Sequence, residues 1–524
     1  MSENNNLDAA LQYHSGTKHS YQSLRMHPHT LDWANKPLLF KIYPTLEVTR
    51  LPRDFHDTGR AALSAIAATP SSTQAEAIPD LETLAQLLFF TAGVVRSKKH
   101  PEGETFFRAA ACTGALYEIE LYVVSTDLPG RPVPGVKNPP GLAAGIYHFG
   151  AAEFGLRQLR SGDFRQALVD ATASEPSVAH APVIIVCTGT YWRNAWKYRS
   201  RTYRHFGWDN GTILSNLLAM SAASNLPAKI VSGFVDSQVN ALLGLDTKRE
   251  VAFSLVPIGS QQANPPSSSP VEPLELPIVP YSEIEVDYAA MRKMHEASSL
   301  DSTTEVAAWR GSTPVQPFPA PKGAPSGLQR LDDSRIPKDS IEQVISRRGS
   351  TRKFALDPLT FPQLSTMLDR ATRGIPADFL DPFGSHLNDL YLIVNNVIGL
   401  PAGAYIYHWN EKQLEFLKPG DFREKAGYLG LEQQLPADAA VDVFFLADLK
   451  RILQRYGNRG YRAVQLEAGI LGGKLYLGAY AQRLGATGLT FYDDDVVSFF
   501  SPHARGKSAI FLVALGRSAV RPNK

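Results

Sequence analysis

The sequence predicts an α+β chain in which one domain is written twice, the two copies pairing as a dimer inside a single polypeptide. Three observations carry this reading. The chain has 524 residues, too many for one core to be the default. LRSGDFRQAL (159–168) returns as LKPGDFREKA (417–426), 258 positions on, and the same offset lays AAGIYHF (143–149) on PAGAYIY (401–407). Both copies alternate strand-like and helical segments without a GxGxxG turn, which argues for α+β and against a dinucleotide-binding Rossmann fold.

Each element has its own signal. DLETLAQLLFFTAGVV (80–95) and FPQLSTMLDRATRG (361–374) carry apolar residues at helical spacing. ELYVVS and DLYLIV read as strands, then VIIVC and VDVFFLA, then FSLVPI and AIFLVAL near the end of each copy. DNGTILSNLLAMSAASNL and EAGILGGKLYLGAYAQRLG read as helices rich in small residues, suited to close packing. WKYRSRTYR (196–204) overlays QRYGNRGYR (454–462), so Arg201 and Arg204 recur as Arg459 and Arg462, which favours a structural role; Asp236 overlays Asp494.

Residues 1–260 are therefore read as the first domain and 336–524 as the second. Between them, 261–335 is read as a proline-rich linker, because QQANPPSSSPVEP and PVQPFPAPKGAPSG cannot propagate a helix or a central strand. EIEVDYAAMRKMHEASSL is expected to be a short helix within it.

The totals exclude several classes. A 44% hydrophobic fraction with 20% charged residues reads as globular protein, and a net charge of +2 gives no general attraction for nucleic acid or an anionic membrane. The two cysteines, Cys112 and Cys187, exclude a disulfide framework, and the dispersed histidines show no metal spacing, so no metal is expected. Without a signal peptide or a long apolar run, the expectation is a soluble cytoplasmic protein.

Against this near-neutral background, SRRGSTRKF (346–354) packs four cations into nine residues, and it occurs once. If extended, Arg348, Ser350, Arg352 and Phe354 share a face, and two guanidinium forks flanking a hydroxyl suit a phosphate. A solvated basic turn fits the pattern as well. The preceding IPKDSIEQVISR reads as a helix capped by Ser340 or Asp339.

Helix-R-x-S-x-R-x-F at a domain start resembles the opening motif of the nitroreductase superfamily. RAAACTGALYEIELYVV (108–124) is similar to that superfamily's R-x-x-P-S-A-G-A-L-Y-P-x-E-L-Y segment, with Ala111-Cys112 in place of Pro-Ser. RYGNRGYRAVQLEAG (455–469), the GxYxY stretch before GDF, and the opening YHSGTKHSYQSLR resemble tandem SagB-type, thiazole/oxazole-forming dehydrogenases.

The resemblance implies two tandem nitroreductase-like domains and FMN as cofactor. It implies that Arg348, Ser350 and Arg352 hold the flavin phosphate and ribityl chain, with Cys112, Thr113 and Gly114 beside the ring. It also implies backbone contacts from Leu489, Thr490 and Phe491, and a basic residue, Arg517, near the phosphate; Arg521 is a further candidate. Lys197-Tyr198 resembles the family's proton-handling pair. The first half has FKIYP (40–44) where the arginine motif belongs, retaining at most Lys41, and the second has LDPFGSHLNDLY (380–391) where the ring-side loop belongs. The pairing implies one complete composite site and one degenerate site. The implied substrate is a peptide or peptide-like molecule, with a cyclodehydratase or carrier protein as possible partner, and the implied state is a monomeric pseudo-dimer or a homodimer. An NAD(P)H-dependent nitro or quinone reductase and a flavin-free scaffold are the competing expectations.

Overall fold

In the first half, β1 (Thr49–Arg50), β2 (Ile119–Ser125), β3 (Gly145–Gly150), β4 (Gly155–Ser161), β5 (Val183–Thr190) and β6 (Glu250–Ile258) form an antiparallel sheet. Its order is β1-β4-β3-β2-β5-β6. The computed structural model describes residues 3–26, 28–68, 76–101, 103–132, 134–135, 137, 139–267, 270–310, 325–332 and 334–519. In the second half, β7 (Pro325–Gly327), β8 (Phe354–Ala355), β9 (Asp389–Val394), β10 (Gly403–His408), β11 (Gln413–Pro419), β12 (Val441–Ala447), β13 (Gly485–Leu489) and β14 (Ser508–Ser518) form another. Its order is β8-β14-β12-β9-β10-β11-β7, with β13 also pairing β14. VIIVCTGT is buried at every position, which is why it reads as one continuous apolar run: both faces of its sheet are covered. β7 lies within the segment read as a linker, yet it pairs with the edge strand β11.

The helices recur in the same order. The first half has α1 (Ala62–Ala65), α2 (Leu81–Ala92), α3 (Tyr191–Tyr198), α4 (Thr202–Ala223) and α5 (Asp236–Leu243). The second has α6 (Ile341–Arg347), α7 (Phe361–Ala371), α8 (Leu449–Tyr456), α9 (Arg459–Ala481) and α10 (Asp493–Phe500). Asp80 caps α2 by accepting from Thr83 N, and Ser340 caps α6 in a reciprocal box with Gln343. The linker carries the expected short helix, at Ala289–Ala297.

The long helices α4 and α9 pack against each other between the sheets. A Cβ on Gly211 would sit 2.5 Å from the backbone of Gly469, and one on Gly469 would meet the carbonyls of Gly207 and Trp208. The two backbones touch there, and only glycine permits that approach.

Contacts between the halves come in reciprocal pairs. Arg459 and Arg462 reach across to Asp236 at 2.5 and 2.7 Å, while Arg201 and Arg204 reach the other way to Asp493 at 3.1 and 2.7 Å. All six side chains are buried. The recurring arginines therefore do have a structural role, but their carboxylate is Asp493, not Asp494, which is exposed and pairs with Lys18. The offset of 258 drops by one after Pro227, an extra residue between α4 and the stretch matching β13, so Asp236 corresponds to Asp493. A second reciprocal contact joins Ala62 N to Asp339 O and Ile341 N to Arg60 O, making α1 the counterpart of α6. Among the described residues no helix is long and apolar enough to cross a membrane.

Candidate active site

The counterpart relation between α1 and α6 corrects one expectation. The arginine motif comes directly after α6, whereas residues 68–76 come after α1, so FKIYP is not the motif's counterpart. Its true counterpart falls on 69–75, TPSSTQA, which contains no cation and lies outside the described residues. Lys41 instead sits buried against the first sheet, its Nζ 2.5 Å from Glu250 Oε2 and 2.7 Å from Tyr122 Oη. Glu250, the largest opposing influence on burial, lifts the Lys41 ammonium above the ordinary lysine range, so Lys41 stays charged.

The ring-side loop departs from regular structure for a local reason. Thr113–Ala115 form one 3-10 turn between the hairpin strand Gly103–Arg108 and β2, with Gly114, Ala115 and Tyr117 all at positive φ. Asp209 of α4 fixes it: Thr113 N and Oγ1 donate to the carboxylate at 2.9 Å. A Cβ on Gly114 would lie 2.9 Å from the Tyr198 hydroxyl, so the glycine both supplies the left-handed turn and lets Tyr198 approach. Cys112 Sγ lies 3.3 Å from Asp209 and 3.4 Å from Glu118. Burial, then these carboxylates, pushes its thiol well above the usual range, which keeps it protonated and suits it to packing rather than attack.

On the other side, the arginine motif leaves α6 without forming a strand until Phe354, with a bend at 352–353. Of the alternating residues, Ser350 and Arg352 line one cavity, while Arg348 does not. Arg348 is buried, donating through Nε to Ala109 O and through Nη2 to Arg108 O, both at 2.9 Å. It ties the second half to the first and does not line the cavity. Ser350 contacts the Tyr476 hydroxyl at 3.4 Å, and that hydroxyl also accepts from Gly488 N.

These pieces converge on a cavity of about 350 Å³ between the halves. The first half supplies Cys112, Thr113, Gly114, Lys197 and Tyr198; the second supplies Ser350, Arg352, Leu489 and Thr490. Three predicted residues lie off it. Arg348 is engaged with the two backbone carbonyls, and Phe491 is buried beneath Arg201, 5.4 Å from its ring. Arg517 is exposed on β14, 3.6 Å from Asp357. Arg521 lies outside the described residues. Asp209, Trp208 and Tyr476, on α4 and α9, also line the cavity and belong to none of the motifs above. Asp209 has one signal in the sequence, a carboxylate repeated one offset on as Glu467.

The electrostatics separate the two members of the Lys-Tyr pair. Burial, then the Arg352 and Lys36 cations, moves the Lys197 amine below the ordinary lysine range. Burial, then Asp209 and its neighbours, raises the Tyr198 phenol. The amine therefore gives up its proton more readily than an ordinary lysine, and the phenol less readily than an ordinary tyrosine.

Residues 345–517 match the nitroreductase family model. A solved structure from Anabaena variabilis, named as a nitroreductase, superposes with a TM-score of 0.75 at 25% identity, covering 97% of this chain and 99% of that one. The fold is nitroreductase-like in both halves. A curated protein of Methanocaldococcus jannaschii, also bearing a nitroreductase name, is 25% identical over 170 residues, spanning 31% of this chain and 84% of its own length.

Proposed function

We propose that the chain is an FMN-dependent oxidoreductase that dehydrogenates a thiazoline- or oxazoline-type ring in a peptide or peptide-like natural product. The observation carrying this reading is that Ser350 and Arg352 from one half meet Cys112–Gly114 and Lys197-Tyr198 from the other around one cavity. The residues present fit FMN. Arg352 and Ser350 offer a cationic fork and a hydroxyl for its phosphate and ribityl chain. The Thr490 hydroxyl is buried with no hydrogen-bond partner among the described residues, an unmet donor on the cavity wall that a polar ring edge would satisfy. Bound there, FMN would supply the two-electron acceptor that amino-acid side chains lack.

The chain's own residues handle position and the proton. Lys197 takes the proton from the ring carbon next to the heteroatom, the direction its lowered basicity favours. Tyr198, held protonated, donates a hydrogen bond to the same substrate and fixes its orientation. A cyclodehydratase or a carrier protein would deliver the substrate, and one chain would act as its own dimer.

The test is conversion of a purified azoline peptide, read as loss of two hydrogens by mass spectrometry, with protein that carries visible flavin absorbance. Lys197→Ala should keep flavin and lose conversion by at least about a hundredfold. Rapid NADPH oxidation without any peptide, together with no azoline conversion, would replace this reading by the reductase; colourless protein that will not take up FMN would replace it by the scaffold.

A further inference from the structure

A second cavity, of about 390 Å³, lies on the opposite side of the α4–α9 packing. Its wall is part apolar, from Ile66 next to α1, Leu218, Ala219 and Ala222 of α4, Pro227, and Pro376 of the second half, and part polar, with Ser215 and Asn225 among the polar residues. Lys474 of α9 lines it too, and only 3% of that residue is exposed. Its Nζ donates to Gly374 O at 2.9 Å, a neutral partner. Burial brings its amine down to about 8, with no charged group among the described residues opposing it. Arg60 and Glu76, both exposed, are the other charged residues described on this cavity.

The counterpart position shows that a cation is not needed to support the fold here. One offset back, α4 carries Asn216, whose amide donates to Phe90 O and Ala109 O at 3.0 and 3.1 Å. A neutral amide meets backbone carbonyls in one half, whereas in the other a full positive charge is buried beside an apolar cavity. Burying an ammonium without a carboxylate is costly, and the cost is recovered when an anion binds. A carboxylate attached to an apolar body matches both features, the charge at Lys474 and the aliphatic patch that α4 and the two prolines contribute to the wall.

We infer that this cavity is a second ligand site, selective for an apolar monocarboxylate whose carboxylate pairs with Lys474. This site is independent of flavin at the first cavity. Titration calorimetry on the full chain, with octanoate as the probe and octanol as its neutral analogue, tests it. Octanoate should bind one per chain, and octanol at least about tenfold more weakly. Lys474→Met, which keeps the shape of the side chain, should weaken octanoate at least about tenfold, and Ala222→Phe, which fills the volume from α4, should abolish binding. Flavin content should be unchanged in both variants. Failure of octanoate to bind, equal affinity for octanol, or an unchanged affinity in Lys474→Met would each overturn the inference. If Lys474→Met does not fold, the octanol comparison and Ala222→Phe still decide it.

Discussion

Around the first cavity the chain opens out, and around its counterpart the same chain closes. Before β2, residues 112–118 loop away from the sheet, and Asp209 of α4 holds the loop at Thr113. Before β9 there is no such loop: Glu467, the residue matching Asp209, takes Leu387 N and Asn388 N directly ahead of the strand. The segment that precedes it turns the other way. Asp378 accepts from Ser232 N and Gly233 N at 2.9 and 2.8 Å, the backbone groups that correspond to Leu489 and Thr490. Tyr456, the counterpart of Tyr198, donates to Phe379 O in the same segment. Lys197 is matched by Arg455, whose guanidinium is too basic to act as a proton acceptor. The lesson is that the ring-side loop and the residues around it opened in one half only. Residues serving both halves, such as Gly211 with Gly469 and the arginine–aspartate pairs, stayed alike, whereas residues facing a single pocket diverged.

The largest effect that would break this comparison concerns Arg352, the charged side chain that the motif brings to the open cavity. Arg352→Ala should remove flavin from the purified protein while its melting temperature stays within a few degrees of wild type, since the side chain is exposed. Retention of full flavin content would mean that the phosphate end has been placed wrongly.

The shared latch comes next, and it should respond alike from both sides. Asp236→Asn and Asp493→Asn each leave two buried arginines uncompensated, with an expected cost of about 3–5 kcal/mol in chemical denaturation. The pH dependence has a definite sign. The arginines, opposing burial, hold Asp236 down to about 2, and they hold Asp493 below the usual carboxylate range. The unfolded carboxyls titrate near about 4, so this stabilisation is complete above that value and is lost as pH falls through the folded values. Strongly unequal costs for the two substitutions would show that the halves are not joined symmetrically.

How far the sequence reaches is visible in the same residues. The repeat was legible because WKYRSRTYR and QRYGNRGYR build equivalent helices, and helix caps such as Ser340 were legible because capping is local. The two errors have one origin. A constant offset hid the extra residue at Pro227, and matching FKIYP by position along the chain overlooked that α1, only four residues long, is the partner of α6. Counterparts of that kind are defined by contacts between residues hundreds of positions apart, such as Ala62 with Asp339, which no local pattern encodes. Arg348 illustrates the same limit: its spacing suits an anion, yet its hydrogen bonds go to two backbone carbonyls of the other half.

A smaller effect is expected where the counterpart is closed. Asp378→Ala exposes two buried backbone donors, Ser232 N and Gly233 N, at a cost of about 1–3 kcal/mol. It should not create a second flavin site, because TPSSTQA, the stretch matching the arginine motif, contains no arginine. Two flavins per chain in this variant would show that Asp378 alone had closed the pocket.

The finest test sets one hydroxyl against its own absence. Thr490 Oγ1 is buried on the wall of the open cavity with no hydrogen-bond partner among the described residues, so flavin-free protein bears an unrelieved desolvation cost there. Thr490→Val removes that hydroxyl at nearly constant volume and should stabilise the flavin-free protein by about 1 kcal/mol. If the hydroxyl serves a bound flavin, the same substitution should weaken FMN binding about fivefold, so the two effects run in opposite directions. Thermal denaturation of flavin-free protein and fluorescence titration with FMN measure them separately. A variant that gains stability while keeping full FMN affinity would leave Thr490 as an unsatisfied wall residue and remove it from the flavin site.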